Sequence, residues 1–260
     1  MKVIYELNPP KIFHDSIINI NILNQEFNKF LERTKIILEY VNSIHITDSV
    51  LGIPRISSIH GAALIAENIK NDRMVISCSV RTRDRNMNSL IQFATQSIFL
   101  NIKDLLFIMG DKPQIYDKNT ANILSKPTDT ITTLNSLGYN KWINLYLSTS
   151  NKISDFNNFA KKTQAKPYGL VTQSINSLQE VKDLKSLLEH NSIKLIPCVM
   201  IPSEKNTKAA KMIGLEWKEY KDNVLEFIHE IGKLVDQVLI TSPNDFNEGV
   251  KILTKIKNNF

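Results

Sequence analysis

Four acids stand where apolar runs of this chain end. They are Glu6 after "VIY", Asp48 after "SIHIT", Asp84 after "SVRTR" and Asp111 after "FIMG". A carboxyl group fixed at a strand end can pass a proton or stabilise a developing cation. Polar companions occupy the other run ends: Thr47, Ser79, Arg81, Tyr146, Ser148, Thr172, Gln173 and Thr241. Gln173 offers a donor and an acceptor side by side, which suits the edge of a flat heterocycle. No His or Cys is expected at these ends, so neither a triad nor a thiolate mechanism is supported. No Lys lies mid-strand for a Schiff base. What remains is acid-base or electrostatic chemistry. Each acid also has a plain structural reading. Asp48 and Thr149 are placed to cap the helices that follow them. The charges of "RTRDRN" are placed to pair with each other. Asp111 after Gly110 is placed to begin a turn, and Glu6 to serve as an internal structural acid.

The elements that must position these groups follow from hydrophobic periodicity. "VIYEL", "SIHITD", "MVISCSV", "DLLFIMGD", "INLYLST", "GLVTQSI", "KLIPCVMIP" and "QVLITSP" read as eight strands. Helical patterns separate them, beginning with "QEFNKFLERTKIILEYV" and closing with "NDFNEGVKILTKI". The strands are apolar throughout rather than alternating, as expected of a parallel sheet covered on both faces. Eight such units in one chain predict a single-domain (β/α)8 barrel over residues 1–260, with its chemistry at the C-terminal strand ends. A doubly wound open sheet is the alternative. It would show a G-x-G-x-x-G first turn, which is absent.

Composition narrows the function. The chain has 260 residues, 42% of them hydrophobic, and a formal charge of +6, enough for one large core. Lys residues are scattered, with no Arg cluster among aromatics, so nucleic-acid binding is not expected. A mild excess of positive charge can steer an anionic substrate. Cys78 and Cys198 lie in apolar runs and read as small buried hydrophobes. The five histidines have no metal-ligand spacing, so no metal site is expected. No apolar run is long enough for a signal or a membrane span, which predicts a cytoplasmic protein.

Several of these strand ends resemble one family. "YELNPPK" resembles the F-E-F-F-P-P opening of the methylenetetrahydrofolate reductases. "HITDSVLGIPR", "VRTRDRN", "LLFIMGDKP", "GLVTQSI" and "LIPCVMIPSEKNTKAAKM" are similar to later segments of that family, in the same order. The resemblance implies a (β/α)8 barrel that reduces a methylene bridge on a reduced pterin, of folate or methanopterin type, to a methyl group. It implies Glu6 as general acid, Asp111 as the aspartate that contacts the pterin and stabilises positive charge, and Gln173 as a second pterin contact. Thr47 and Asp48 join the substrate side. Ser79, Arg81, Asp84 and Tyr146 fall on the cofactor side.

The departures concern flavin. Where flavin-dependent members carry His, Arg and His, this chain has Ser79, Met109 and Ser150, and their Ala-Gly-Ala reads "AKP". FAD is the family's usual cofactor, so the expectation shifts to NAD(P)H as direct hydride donor, with a reduced deazaflavin as a further alternative. Two rivals stand beside the reductase. One is a non-redox pterin-binding subunit of a larger one-carbon enzyme, and the other an unrelated barrel lyase using Glu6 and Asp48. A homo-oligomer or a partner subunit is compatible with either pterin reading.

Overall fold

Strand β1 (Lys2–Leu7) hydrogen-bonds on both edges in the computed structural model, and that double pairing closes a barrel. The structure describes residues 1–14, 17–112, 125–151 and 156–259. Going round from β1, the strands are β4 (Ser43–Ile46), β5 (Val75–Arg81), β6 (Asp104–Ile108), β7 (Asn144–Thr149), β8 (Gly169–Ser174), β9 (Lys194–Met200) and β10 (Gln237–Thr241). All eight pairings are parallel. Ile4 pairs with Leu239 on one side, and Glu6 with His45 on the other. A two-stranded hairpin, β2 (Phe13–His14) with β3 (Ile17–Ile18), precedes the first long helix. The fold is a (β/α)8 barrel.

Helices α1 (Ile20–Leu38), α2 (Ser58–Asn68), α3 (Met87–Phe99), α4 (Pro127–Ser136), α5 (Phe156–Gln164), α6 (Leu178–Leu188), α7 (Thr207–Met212), α8 (Val224–Leu234) and α9 (Phe246–Asn259) lie between and after the strands. Their starts follow capping chemistry. Asn19 accepts from the amides of Asn21 and Ile22, so α1 begins well before the Gln25 start that periodicity suggests. Ser57, Asn86 and Ser177 cap α2, α3 and α6 in the same way. The expected start of α5 at Ser154 and Asp155, and Pro113 after the Gly-Asp pair, lie outside the described residues. Among the described residues, no helix is long and apolar enough to cross a membrane.

Successive strand residues point to opposite faces. Tyr5, Leu7, Ile44, Ile46, Val80, Leu105 and Phe107 face the helices and join the large core. Ile4, Leu106, Tyr146, Val171, Ile196, Cys198 and Leu239 face inward and form a smaller cluster that fills the barrel floor. A filled floor makes the barrel a packed core with one working mouth. Strand β6 stops at Ile108, short of the Asp111 expected from its apolar run. The reason is Gly110, at φ +80, where a Cβ would come within 2.9 Å of the Arg81 side chain.

The outer face of β1 sets one tight contact. A Cβ on Gly249 of α9 would collide with the Tyr5 hydroxyl. Gly to Ala in a helix normally stabilises by up to about 1 kcal/mol. At Gly249 the sign should reverse, with Gly249→Ala lowering stability by about 1–3 kcal/mol through overpacking. Urea unfolding measures this, and an unchanged or higher midpoint would contradict the Tyr5 packing.

Candidate active site

A cavity of about 360 Å³ opens at the C-terminal ends of the strands. Nine residues singled out from sequence line it: Glu6, Thr47, Asp48, Ser79, Asp111, Ser148, Thr172, Gln173 and Thr241. Each arrives for a local reason.

Glu6 is the last inward residue of β1. Its Oε1 accepts a hydrogen bond from Thr241 Oγ1 at 2.7 Å, across the β1–β10 seam. The carboxyl keeps partial exposure because it faces the cavity, yet it lies deep enough that burial raises its pKa above 4.5. The Thr241 hydrogen bond opposes that rise without cancelling it. Burial, not a neighbouring carboxylate, is the cause.

The corner after Glu6 is braced. The Arg55 guanidinium donates to the Pro9 carbonyl at 2.6 Å, and the Ile56 amide donates to the Pro10 carbonyl at 3.0 Å. Pro9 and Pro10 have no amide hydrogen to satisfy, so both can be buried there. Thr47 continues the β1–β4 pairing with its amide on the Leu7 carbonyl, and its hydroxyl donates to Asn8 Oδ1 at 2.7 Å.

Gln173 reaches the mouth through a bulge. The register between β8 and β9 shifts between Val171 and Ser174. The Thr172 hydroxyl takes the place of a ladder carbonyl by accepting from the Cys198 amide at 3.0 Å. Bulges re-aim side chains, and here Gln173 is exposed to the cavity between buried neighbours. Asp111 is exposed, and its Oδ2 accepts from the Leu51 amide at 3.0 Å. That bond ties it to a short 3-10 turn, Val50–Gly52, which contains left-handed Leu51 and follows left-handed Ser49.

Three expected site residues lie elsewhere. Tyr146 belongs to the floor rather than the mouth. It packs beside Leu106 and Val171 and meets Tyr168 edge-on at 5.4 Å. Ser148, two residues further along β7, takes the mouth position. Arg81 is 1% exposed and structural. Its guanidinium donates to the Ser49 and Asp111 carbonyls at 2.8 Å each. Asp84 is an exposed partner of Arg81, at 3.3 Å, and does not line the cavity. Asp48 lines the cavity, but its Oδ2 already accepts from the Arg81 amide and from Arg85, the latter at 2.7 Å. Within "RTRDRN" Arg81 and Asp84 pair with each other, whereas Arg85 pairs with Asp48 outside the segment and Arg83 donates to the Gly110 carbonyl.

Two groups at the mouth were missed. His45 and Cys198 both line the cavity, against the expectation of a mouth without His or Cys. The signal was the strand period: once Thr47 and Met200 face inward, His45 and Cys198 two residues earlier must do so too. Neither is set up as a nucleophile or its base. Burial pushes the Cys198 thiol up, away from thiolate. His45 has its Nδ1 2.8 Å from Ser77 Oγ and its Nε2 2.7 Å from Ser79 Oγ. Burial lowers its pKa from 6.5 to about 4. Among the described residues, no lysine lines the cavity and no cluster of three His, Cys, Asp or Glu is placed to hold a metal ion.

The arrangement gathers the Glu6 carboxyl, which burial shifts toward its protonated form, the Asp111 side chain and the Gln173 carboxamide around one cavity. Comparison with protein-family models and with curated proteins found no match.

The two titrations act on stability with opposite signs. His45 in the folded chain refuses a proton that the unfolded chain accepts below pH 6.5. Its contribution is complete above that pH and is lost as pH falls toward 4, amounting to about 3 kcal/mol. Glu6 has a raised pKa, so its contribution is complete below pH 4.5 and is lost as pH rises through the folded value. Nuclear magnetic resonance should show the His45 ring neutral at pH 5, and a midpoint near 6.5 would rule out the buried arrangement. Glu6→Gln should gain stability relative to the parent protein as pH rises from 4.5, read by denaturant midpoints across pH.

Proposed function

We propose that this protein reduces the methylene group of a methylenetetrahydropterin to a methyl group, with a reduced nicotinamide as hydride donor. The observation that carries the reading is the shared cavity. Glu6, with its pKa raised by burial, faces the same space as Asp111 and Gln173. The in-order resemblance of the strand-end segments supplies the substrate class.

The chemistry follows from those groups. Protonated Glu6 gives its proton to one of the two nitrogens that share the methylene carbon. The carbon–nitrogen bond to that nitrogen breaks, its electron pair stays on nitrogen, and an iminium cation forms on the other. The Asp111 carboxylate lowers the energy of that cation, most strongly once the ring has displaced water. Gln173 hydrogen-bonds the pterin edge and fixes the ring against the donor. Hydride transfer to the iminium carbon completes the methyl group and leaves the nicotinamide oxidised. Glu6 regains its proton from solvent.

Direct transfer is favoured over a resident flavin. Ser79, Arg81, Asp84 and Tyr146, the residues expected on the cofactor side, are engaged respectively with His45, with loop carbonyls, with Arg81 and with the floor. Those residues do not fit a held flavin. The same engagement favours a second reading, a pterin-binding subunit without redox chemistry of its own.

Glu6→Gln should lower turnover of methylenetetrahydropterin with NADH or NADPH by at least about a hundredfold, with pterin affinity retained. Turnover unchanged by Glu6→Gln would sink the acid assignment. Pterin binding without nicotinamide oxidation, with or without added FAD, would replace the reductase reading by the binding subunit. Flavin bands in the spectrum of the purified protein would overturn direct transfer.

A further inference from the structure

A second cavity, of about 300 Å³, lies on the other side of Glu6, between the β1 end, helix α1 and the start of α9. It shares Glu6, Asn8, Arg55, Pro243 and Asn244 with the mouth cavity. The two spaces are thus neighbours. Their chemistry differs sharply.

Lys11, Lys29, Arg33 and Arg55 line the second cavity, and among the described residues Glu26 and Glu6 are the carboxylates that line it. Glu26 lies 3.6 Å from Lys29. Arg33 stacks on the Phe246 ring at 5.0 Å. Among the described residues, no carboxylate forms an ion pair with Lys11, Arg33 or Arg55. Positive charge is gathered around a concavity and left unbalanced.

Two further observations point to a missing partner. The Tyr5 hydroxyl has no hydrogen-bond partner, although Tyr5 is 1% exposed and lines the cavity. The Arg55 Nε is likewise buried without a partner. Buried polar atoms are rarely left unsatisfied, and two on the wall of one basic cavity ask for an acceptor. Burial also lowers the Arg55 pKa, opposed only by Glu26. A bound anion would favour the charged guanidinium.

We propose that this cavity is an anion subsite, taking the phosphate or carboxylate groups at the far end of a ligand whose reacting ring occupies the mouth. The site itself stands on its own residues. Its link to a ring in the mouth rests on the reductase reading. Arg33 and Arg55 supply planar donors that match phosphate or carboxylate oxygens. Lys11 and Lys29 add mobile charge at the rim. Glu6 then stands between the reacting ring on one side and the anionic tail on the other.

The test is titration calorimetry on the full chain at low salt, with pyrophosphate and with tri-γ-glutamate as separate probes. At least one should bind saturably, and added salt should weaken it. Arg33→Gln and Lys29→Gln should each weaken that binding, Arg33→Gln by about tenfold or more. Lys35→Gln, an equal loss of charge at an exposed position on the same helix that does not line the cavity, should leave it unchanged. Lys29→Gln decides the matter if Arg33→Gln does not fold. Pyrophosphate alone would identify a phosphate-bearing tail, and the peptide alone a polycarboxylate. Binding of neither probe would overturn the subsite, as would equal weakening by Lys35→Gln. Anion binding without pterin turnover would keep the subsite and sink the reductase. Turnover without anion binding would do the reverse.

Discussion

Closing eight parallel strands into a barrel gives each strand only every second residue with which to fill the interior. Everything at the mouth depends on that constraint. Apolar residues such as Ile4, Leu106, Val171 and Leu239 take the lower interior positions and keep water out. Several of the next inward positions are polar, among them Glu6, His45, Ser79, Ser148 and Thr241, beside apolar Ile108 and Cys198. A polar group standing on a dry floor either finds a partner or changes its ionisation. His45 does both, lying between Ser77 and Ser79 and staying neutral. Glu6 finds Thr241 and is pushed toward its protonated form.

The rim above this ring is organised by one cation. Arg81 is buried and joins the loops that follow β4, β5 and β6. It donates to the Ser49 and Asp111 carbonyls, while its own amide donates to Asp48. Its side chain also excludes anything larger than glycine at position 110. One guanidinium thus fixes the backbone that carries Asp111, and Leu51 returns the favour by donating its amide to the Asp111 carboxylate. An Arg suits this task because its donors are planar and its charge persists when buried.

Charge is divided unevenly between the two cavities, which share Glu6 and Arg55. Asp48, Asp111 and the neutral His45 line the mouth, while Lys11, Lys29, Arg33 and Glu26 line the cavity behind Glu6. The net excess of positive charge noted in the composition is therefore partly local. Four of its members gather around one concavity instead of spreading evenly over the surface.

The sequence by itself determined the barrel, because eight apolar runs separated by helical patterns leave a parallel sheet few ways to be covered. It also determined that Glu6, Thr47, Asp48, Ser79, Asp111 and Gln173 stand near or just beyond strand ends, since run boundaries are local. Only the tertiary structure decided what those residues do. Tyr146 and Ser148 are two residues apart on one strand, yet one lies in the floor and the other at the mouth, a difference of depth that no local pattern records. The bulge that turns Gln173 into the cavity depends on Thr172 meeting the Cys198 amide of a neighbouring strand. The pKa of Glu6 depends on burial by residues distant along the chain, and its carboxyl accepts a hydrogen bond from Thr241 at the opposite end of the sequence. The gathering of Lys11, Lys29, Arg33 and Arg55 needs the β1 corner, helix α1 and the loop after β4 to meet. Periodicity fixes which way a side chain faces, but depth, partner and ionisation are set by what other strands and helices bring beside it.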